Sequence, residues 1–333
     1  MKCINKWICL SLLIAVSCVS GCGKTSVAIE QPYDVYATAA DFGLSSNGTA
    51  EAKSYFASDL CVSEDVAIGT DSTDSQVAEG AGTFNLETNT VVYAKNLYER
   101  LYPASTTKIL TAYIALKYCD DLDAMVTVSE NAVNQASDSS VCNLKAGDVI
   151  RLRDLLYGLM LRSGNDAAVA IAEYISGDVD SFAALMNQEA AAMGATRSHF
   201  VNPNGLPDEN HYTCVYDMYL IFSNAVKNDT FVSIIGTTSY DVTYTDASGE
   251  AVTHTWENTN QYLTGNATTP DGFQIVGGKT GTTGEAGYCL VLYSYNPSGQ
   301  PIISIVFKAD GKSNLYLLMN EMLQGFAIQT VDP

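Results

Sequence analysis

Three short groups of residues in this chain could carry chemistry. The first is Ser105-Thr106-Thr107-Lys108, preceded by Tyr102-Pro103-Ala104. A serine and a lysine three apart on a helix share one face. A serine hydroxyl is a weak nucleophile until a base takes its proton. Lysine can be that base when desolvation or a neighbouring cation lowers its pKa. At a helix N-terminus, free backbone N–H groups and the positive end of the dipole also favour a developing oxyanion. The second group is Ser163-Gly164-Asn165. Ser163 could relay a proton between Lys108 and a leaving amine. Asn165 carries both a donor and an acceptor, so it can hold a lysine and a substrate amide together. The third is Lys279-Thr280-Gly281, with Gly277-Gly278 before it and Thr282 after it. On an edge strand, Lys279 and Thr280 would face a substrate carboxylate while Gly281 lets a backbone approach closely. Lys279 would also supply the cation that keeps Lys108 neutral.

Taken singly, each group has a plainer reading. Ser-x-x-Lys also describes a capped helix with a surface lysine. Ser-Gly-Asn also describes a turn before a helix, and Lys-Thr-Gly a glycine-rich turn. Other chemistries find less support. The chain holds 17 Lys and Arg against 37 Asp and Glu, a net charge of −20. That disfavours a nucleic-acid partner, which needs clustered cations. Gly-Lys-Thr occurs at 23–25 and 278–280, but the glycine a phosphate loop needs six residues before the lysine is replaced by Cys18 and Phe273. The three histidines, His199, His211 and His254, read as loop and packing residues, and the cysteines show no metal-ligand spacing. No metal and no cofactor is expected. With 47% hydrophobic residues the chain can build a real core.

The elements that must position these groups follow from patterning. Residues 83–94 read as strand with a turn at Thr88-Asn89. Residues 104–118 read as a helix with Pro103 just before it and Ile109, Leu110, Tyr113 and Ile114 on one side. Residues 129–230 read as mostly helical. Residues 288–295 and 301–308 are β-rich runs joined by Asn296-Pro297-Ser298-Gly299, a hairpin signal. Leu315, Leu318, Met319, Met322, Leu323 and Phe326 mark a final amphipathic helix. This order predicts an α+β fold, with an antiparallel sheet from both chain ends, flanking helices and a mostly helical lobe inserted. It puts Ser105 at a helix start, Ser163 in the helical block and Lys279 just before the last hairpin.

In this order and setting, the three groups resemble the motif set of penicillin-binding proteins and class A β-lactamases. From about 83 to 326 the chain is similar to serine-type D-Ala-D-Ala carboxypeptidases of peptidase family S11, the low-molecular-mass penicillin-binding proteins. Stretches 126–132, 155–158, 163–168, 199–207, 211–213 and 284–288 carry the same likeness. The resemblance implies a β-lactamase/transpeptidase-like fold. It implies hydrolysis of the terminal D-Ala-D-Ala bond of a peptidoglycan pentapeptide through an acyl-enzyme on Ser105, in cell wall biogenesis and cell shape. Lys108 would accept the serine proton. Ser163 and Asn165 would help pass a proton to the departing D-alanine. The N–H groups of Ser105 and Thr282 would form the oxyanion hole. The strand Lys279-Thr280-Gly281-Thr282 would bind substrate, with Lys279, Thr280 and Thr282 on the terminal carboxylate. β-Lactam antibiotics would acylate the same serine. Two departures stand out: Thr282 lies where some relatives carry His, and Gln261 lies where a basic residue is usual. Only seven residues follow Phe326, so the usual C-terminal β-domain and amphipathic membrane helix are not expected. The alternatives are a β-lactamase-like hydrolase, which would need a deacylating base not seen as a motif between Asn165 and Lys279, and a catalytically silent wall-binding lipoprotein.

The N-terminus reads as an address. Residues 1–21 combine Lys2 and Lys6 with an apolar run over 8–19, the layout of an export signal. Val19-Ser20-Gly21-Cys22 resembles a bacterial lipobox, in which Cys22 would take a diacylglyceryl group; an ordinary signal peptide is the other reading. The expected organisation is a lipoprotein signal peptide at 1–21, a lipid-anchored linker at 22–81 and the catalytic domain at 82–327. The expected location is the extracytoplasmic face of the bacterial cell membrane. Five cysteines remain beyond Cys22: Cys61, Cys119, Cys142, Cys214 and Cys289. They read as small buried hydrophobes.

Overall fold

A computed structural model of the chain describes residues 59–328. Strands from both ends of this stretch pair into one sheet. β1 (Ala78–Asn85) and β2 (Thr90–Lys95) form an N-terminal hairpin, and β7 (Gln274–Thr283), β8 (Gly287–Tyr295) and β9 (Pro301–Ala309) follow each other later in the chain. The order is β2-β1-β9-β8-β7, with every neighbour antiparallel. β7, which carries Lys279, is therefore an edge strand. β8 and β9 are buried almost continuously, because both faces of the sheet are covered. On one face lies helix α8 (Lys312–Phe326), whose Leu315, Leu318, Met319, Met322 and Leu323 pack on Leu290, Leu292, Ile302 and Val306. The other face contributes Val291, Ile303, Ile305 and Phe307 to the main core.

The inserted lobe holds α1 (Lys108–Tyr118), α2 (Glu130–Val133), α3 (Leu152–Tyr157), α4 (Asn165–Ser176), α5 (Val179–Ala192), α6 (Val215–Ala225) and α7 (Asp229–Ile235). α1 is buried nearly all round, with Ile109, Leu110, Ala112, Ile114 and Ala115 fully enclosed, so it runs through the core rather than over it. Side chains close the starts of three helices: Ser129 accepts from Ala132 N, Asp178 from Ser181 N, and Asn228 from Thr230 N and Phe231 N.

The lobe also carries short strands, of which only Val149–Arg151 falls within the 129–230 block read as mostly helical. β3 (Met125–Thr127), β4 (Val149–Arg151), β5 (Ser239–Thr245) and β6 (Ala251–Glu257) form a second sheet in that order. The β5–β6 hairpin is tied to α3 by Tyr157 stacked on Tyr240 at 3.8 Å and by buried Asp154. Asp154 takes a two-pronged bond from Arg151 and a third from the Tyr240 hydroxyl.

The expected linker at 22–81 is also corrected, since 59–81 belong to the folded unit. Cys61 N donates to Tyr219 Oη at 2.9 Å, and Tyr216 Oη donates to Cys61 O at 2.9 Å. Ile68 bridges to Ala94, and β1 begins at Ala78 rather than Thr83. The polar composition hides this docking because backbone groups and a few buried side chains, Cys61 and Ser75 among them, carry it. Cys22, the signal peptide and residues 22–58 lie outside the described residues. All five remaining cysteines are free thiols; Cys61, Cys142, Cys214 and Cys289 are buried and Cys119 is half-buried. Among the described residues, no helix is long and apolar enough to cross a membrane.

Candidate active site

Ser105 sits in a single 3-10 turn, Ala104–Thr107, that runs directly into α1. Pro103 supplies the carbonyl that Thr106 Oγ1 caps at 2.7 Å, and Ala104 takes a left-handed φ of 47°. The turn aims the Ser105 hydroxyl at Lys108 on the first turn of α1. Lys108 is wholly enclosed. Its Nζ donates to Ser105 Oγ at 2.9 Å, to Asn165 Oδ1 at 2.8 Å and to the Asn204 carbonyl at 2.7 Å. Burial first, and the charge of Lys279 second, hold its pKa well below the usual ammonium range.

Ser163 reaches the same place by a distortion. α3 passes into a π-helical turn, Gly158–Arg162, which ends at Ser163 with a left-handed φ of 62°. Such π turns are frequent at functional sites. α4 then begins at Asn165, whose N donates to Ser140 O at 2.8 Å. Buried Asp166 accepts from the backbone N–H groups of Cys142, Leu144 and Ala167, fixing the loop that passes over the motif.

Lys279 approaches from β7. Its side chain is buried, and its Nζ donates to Ser163 Oγ at 3.0 Å and to Thr280 O at 2.7 Å. Burial pulls its pKa down to about 7. Neither lysine is in an ion pair among the described residues, so no carboxylate holds either proton in place. Thr280 Oγ1 pairs with Thr259 Oγ1 at 2.6 Å, and Thr282 Oγ1 donates to Gly281 O at 2.8 Å. Gly281 is required by contact: a Cβ there would lie 2.9 Å from Ser105 N.

All eight residues proposed for catalysis and substrate binding thus converge. Ser105, Ser163, Thr280, Gly281 and Thr282 line a cleft of about 230 Å³, with Thr259, Lys312 and Tyr316. A second hollow of about 400 Å³ shares Ser105 and Thr282 and is walled by Asp138, Asn204, Leu206 and Glu285. Ser105 therefore opens on both sides to space for an extended ligand. Sequence reading missed the Asn204 carbonyl, the Thr259 hydroxyl and Asp166. Asp166 adjoins Asn165 in sequence and was within reach; a backbone carbonyl leaves no residue-type signal.

A neutral Lys108 amine beside Ser105 can take the hydroxyl proton as the oxygen attacks a carbonyl. Residues 69–311 match the family described as peptidase S11, D-alanyl-D-alanine carboxypeptidase. The chain belongs to that family. A D-alanyl-D-alanine carboxypeptidase of Streptomyces sp. strain K15 is 34% identical over 265 residues, covering 75% of this chain and 88% of that protein. The D-alanyl-D-alanine carboxypeptidase DacF of Bacillus subtilis is 34% identical over 251 residues, and the match spans 74% of this chain but 61% of DacF. Among solved structures, the Streptomyces K15 DD-transpeptidase superposes with a TM-score of 0.67 at 33% identity, covering 73% of this chain and 96% of that one. The carboxypeptidase DacD of Francisella tularensis gives a TM-score of 0.65 at 26% identity, covering 85% and 73%. This agrees with the penicillin-binding fold.

Proposed function

We propose that the protein is a serine D-Ala-D-Ala carboxypeptidase acting on peptidoglycan stem pentapeptides. The observation that carries this reading is the contact of buried, carboxylate-free Lys108 with Ser105 Oγ at 2.9 Å. Ser105 Oγ attacks the carbonyl carbon between the two terminal D-alanines, and its proton passes to Lys108 Nζ. The carbonyl oxygen becomes an oxyanion held by the N–H groups of Ser105 and Thr282. Ser163 gives its proton to the leaving nitrogen and is reprotonated with the proton that Lys108 took from Ser105. The C–N bond breaks, and D-alanine departs with Ser105 left as an ester and Lys108 neutral again. Water then attacks the ester carbonyl carbon and gives a proton to Lys108. The C–Oγ bond breaks, and that proton returns to Ser105 Oγ, which leaves the shortened peptide with a new terminal carboxyl group. Lys279, Thr280 and Thr282 hold the substrate's terminal carboxylate. That carboxylate favours the charged form of Lys279 and so raises its pKa from about 7 when substrate is present. β-Lactams would acylate Ser105 in place of substrate.

The test is product analysis on a muramyl pentapeptide. Release of D-alanine, together with a long-lived covalent adduct on incubation with labelled penicillin, is the expected result. Rapid hydrolysis of the antibiotic would favour a β-lactamase-like enzyme. Absence of both D-alanine and adduct would favour a catalytically silent wall-binding lipoprotein. We also propose that Cys22 is lipidated and tethers the enzyme to the extracytoplasmic face of the cell membrane. The support is the Val19-Ser20-Gly21-Cys22 pattern behind an apolar run.

A further inference from the structure

His211 is a buried titratable group that the proposed reaction does not use, yet it touches the nucleophile turn. Its side chain is almost wholly enclosed. Val201 N donates to its Nδ1 at 3.2 Å, so Nδ1 is an acceptor without a proton. The ring proton therefore sits on Nε2, which donates to Thr107 Oγ1 at 2.9 Å. Thr107 directly precedes Lys108. Phe200 packs edge-on against the ring at 5.5 Å. The charged and titratable groups around the ring are Asp208, His199 and Lys108.

The two imidazole bonds join a loop to a helix start. That loop, residues 199–206, lies directly on the turn that carries Ser105. Thr111 Oγ1 donates to Pro203 O at 2.7 Å. Gly205 has a left-handed φ of 87°, and a Cβ there would fall 1.8 Å from Ala104 O, so nothing larger than glycine fits between loop and turn. Between these contacts, the Asn204 carbonyl accepts from Lys108 Nζ.

That carbonyl has a directional consequence. An ammonium has three hydrogens for its three acceptors, Ser105 Oγ, Asn165 Oδ1 and Asn204 O. A neutral amine has two hydrogens and one lone pair. Asn165 Oδ1 and Asn204 O can only accept, whereas Ser105 Oγ can also donate. The two hydrogens of the neutral amine must therefore stay on Asn165 and Asn204, and the lone pair must point at the Ser105 hydroxyl. Moving the Asn204 carbonyl away frees the amine to rotate its lone pair off the nucleophile.

We infer that His211 is a positioning residue, which clamps the Asn204 loop to the nucleophile turn as its Nε2-protonated neutral tautomer and thereby aims the lone pair of Lys108 at Ser105. This rests on the serine-acylation reading above. Burial keeps the ring neutral, with a pKa pulled down to about 4. Protonation of Nδ1 would set a second donor against the Val201 N–H and undo the clamp.

The test is the acylation of the full-length protein by a fluorescent penicillin, resolved into a noncovalent binding constant and an acylation rate constant across pH. His211→Phe keeps a ring of similar shape and removes both hydrogen bonds. Its acylation rate constant should fall by about a hundredfold, the scale of a small misplacement of reacting groups, with binding unchanged. The acid limb of the rate should move to lower pH, because the Lys108 ammonium has lost an acceptor that stabilised it. His211→Gln, whose amide N–H reaches as far as Nε2, should recover most of the rate and return the limb. A His211→Phe protein with the wild-type rate constant overturns the inference. So does a smaller labelled fraction with rate constant and limb unmoved, which is what a merely structural role would give. If His211→Phe does not fold, Thr107→Val breaks the same contact from the helix side and must show the same loss and shift; wild-type acylation there is equally fatal. Failure of the wild type itself to take label sinks the acylation reading and this inference together, whereas equal label on both proteins sinks this inference alone.

Discussion

Lys279 Nζ donates to Ser163 Oγ across 3.0 Å, joining an edge strand to the end of a π-helical turn 116 residues earlier in the chain. The bond links the second and third motifs, as the Lys108–Asn165 bond links the first and second. It also places a lysine that titrates near neutrality beside the serine proposed to relay the proton.

From this follows a signed pH dependence. A carboxylate-bearing ligand binds best when Lys279 is charged. Since Lys279 loses its proton at about 7 in the free protein, noncovalent binding should weaken as pH rises through that value. Well above it the loss approaches about tenfold per pH unit. Acylation should run the other way, because Lys108 must be neutral to accept the serine proton. Binding constants for a penicillin and for its methyl ester, measured across pH, check this. A slope for the free acid and a flat line for the ester are expected; the same slope for both would remove Lys279 from carboxylate binding.

Ser105→Ala should abolish covalent penicillin labelling while leaving the fold intact. The side chain is partly exposed at the cleft, and its loss empties no core volume. Gel fluorescence and circular dichroism read the two halves of this prediction. Persistent label on the variant would move the nucleophile elsewhere.

Gly281→Ala tests the oxyanion hole through sterics alone. The added methyl would sit 2.9 Å from Ser105 N and 3.1 Å from Pro103 O, so strand and nucleophile turn must separate. Loss of one well-placed donor costs about 10²–10³ in rate. Acylation should fall by that order while the melting temperature moves little, since β7 keeps its ladder to β8. An unchanged acylation rate would show that the N–H of Ser105 does not need this close approach.

Much of this arrangement was legible before folding. Ser105 and Lys108 share a helical face, and the 288–295 and 301–308 runs pair across their predicted turn as β8 and β9. The hidden parts have physical causes. β3 and β4 are three residues each, too short for periodicity to register. β5 and β6 expose threonines on one face and bury Val242, Tyr244 and Trp256 on the other, where the partly polar Tyr240, Tyr244 and His254 blur the alternation. Asn204 contributes its carbonyl, which any residue could supply at that position. His211 reads in sequence as a packing residue, and it does pack against Phe200; only its two ring bonds, each to a different segment, set it apart.

His211 also predicts acid sensitivity of the fold itself. Its pKa is about 4 folded, against about 6.5 in an unfolded chain. Between those values the unfolded state binds more protons, so stability is intact above about 6.5 and is lost as pH falls toward 4. The full loss is roughly 3 kcal/mol. Thermal melts across this window should show a steeper decline for the wild type than for His211→Gln, which has nothing to protonate there. Parallel curves would mean that the ring is not held neutral by its surroundings.

The anchor is tested separately from the chemistry. If Cys22 carries the lipid, Cys22→Ser should leave the protein unlipidated and shift it from the membrane to the soluble fraction. The folded unit from 59 onward should keep its fold, since its start is held by Cys61 against Tyr216 and Tyr219. Penicillin labelling of the released protein should therefore equal that of the anchored form. Fractionation followed by labelling reads both outcomes at once. A Cys22→Ser protein that stays with the membrane would remove lipidation of Cys22 as the anchor.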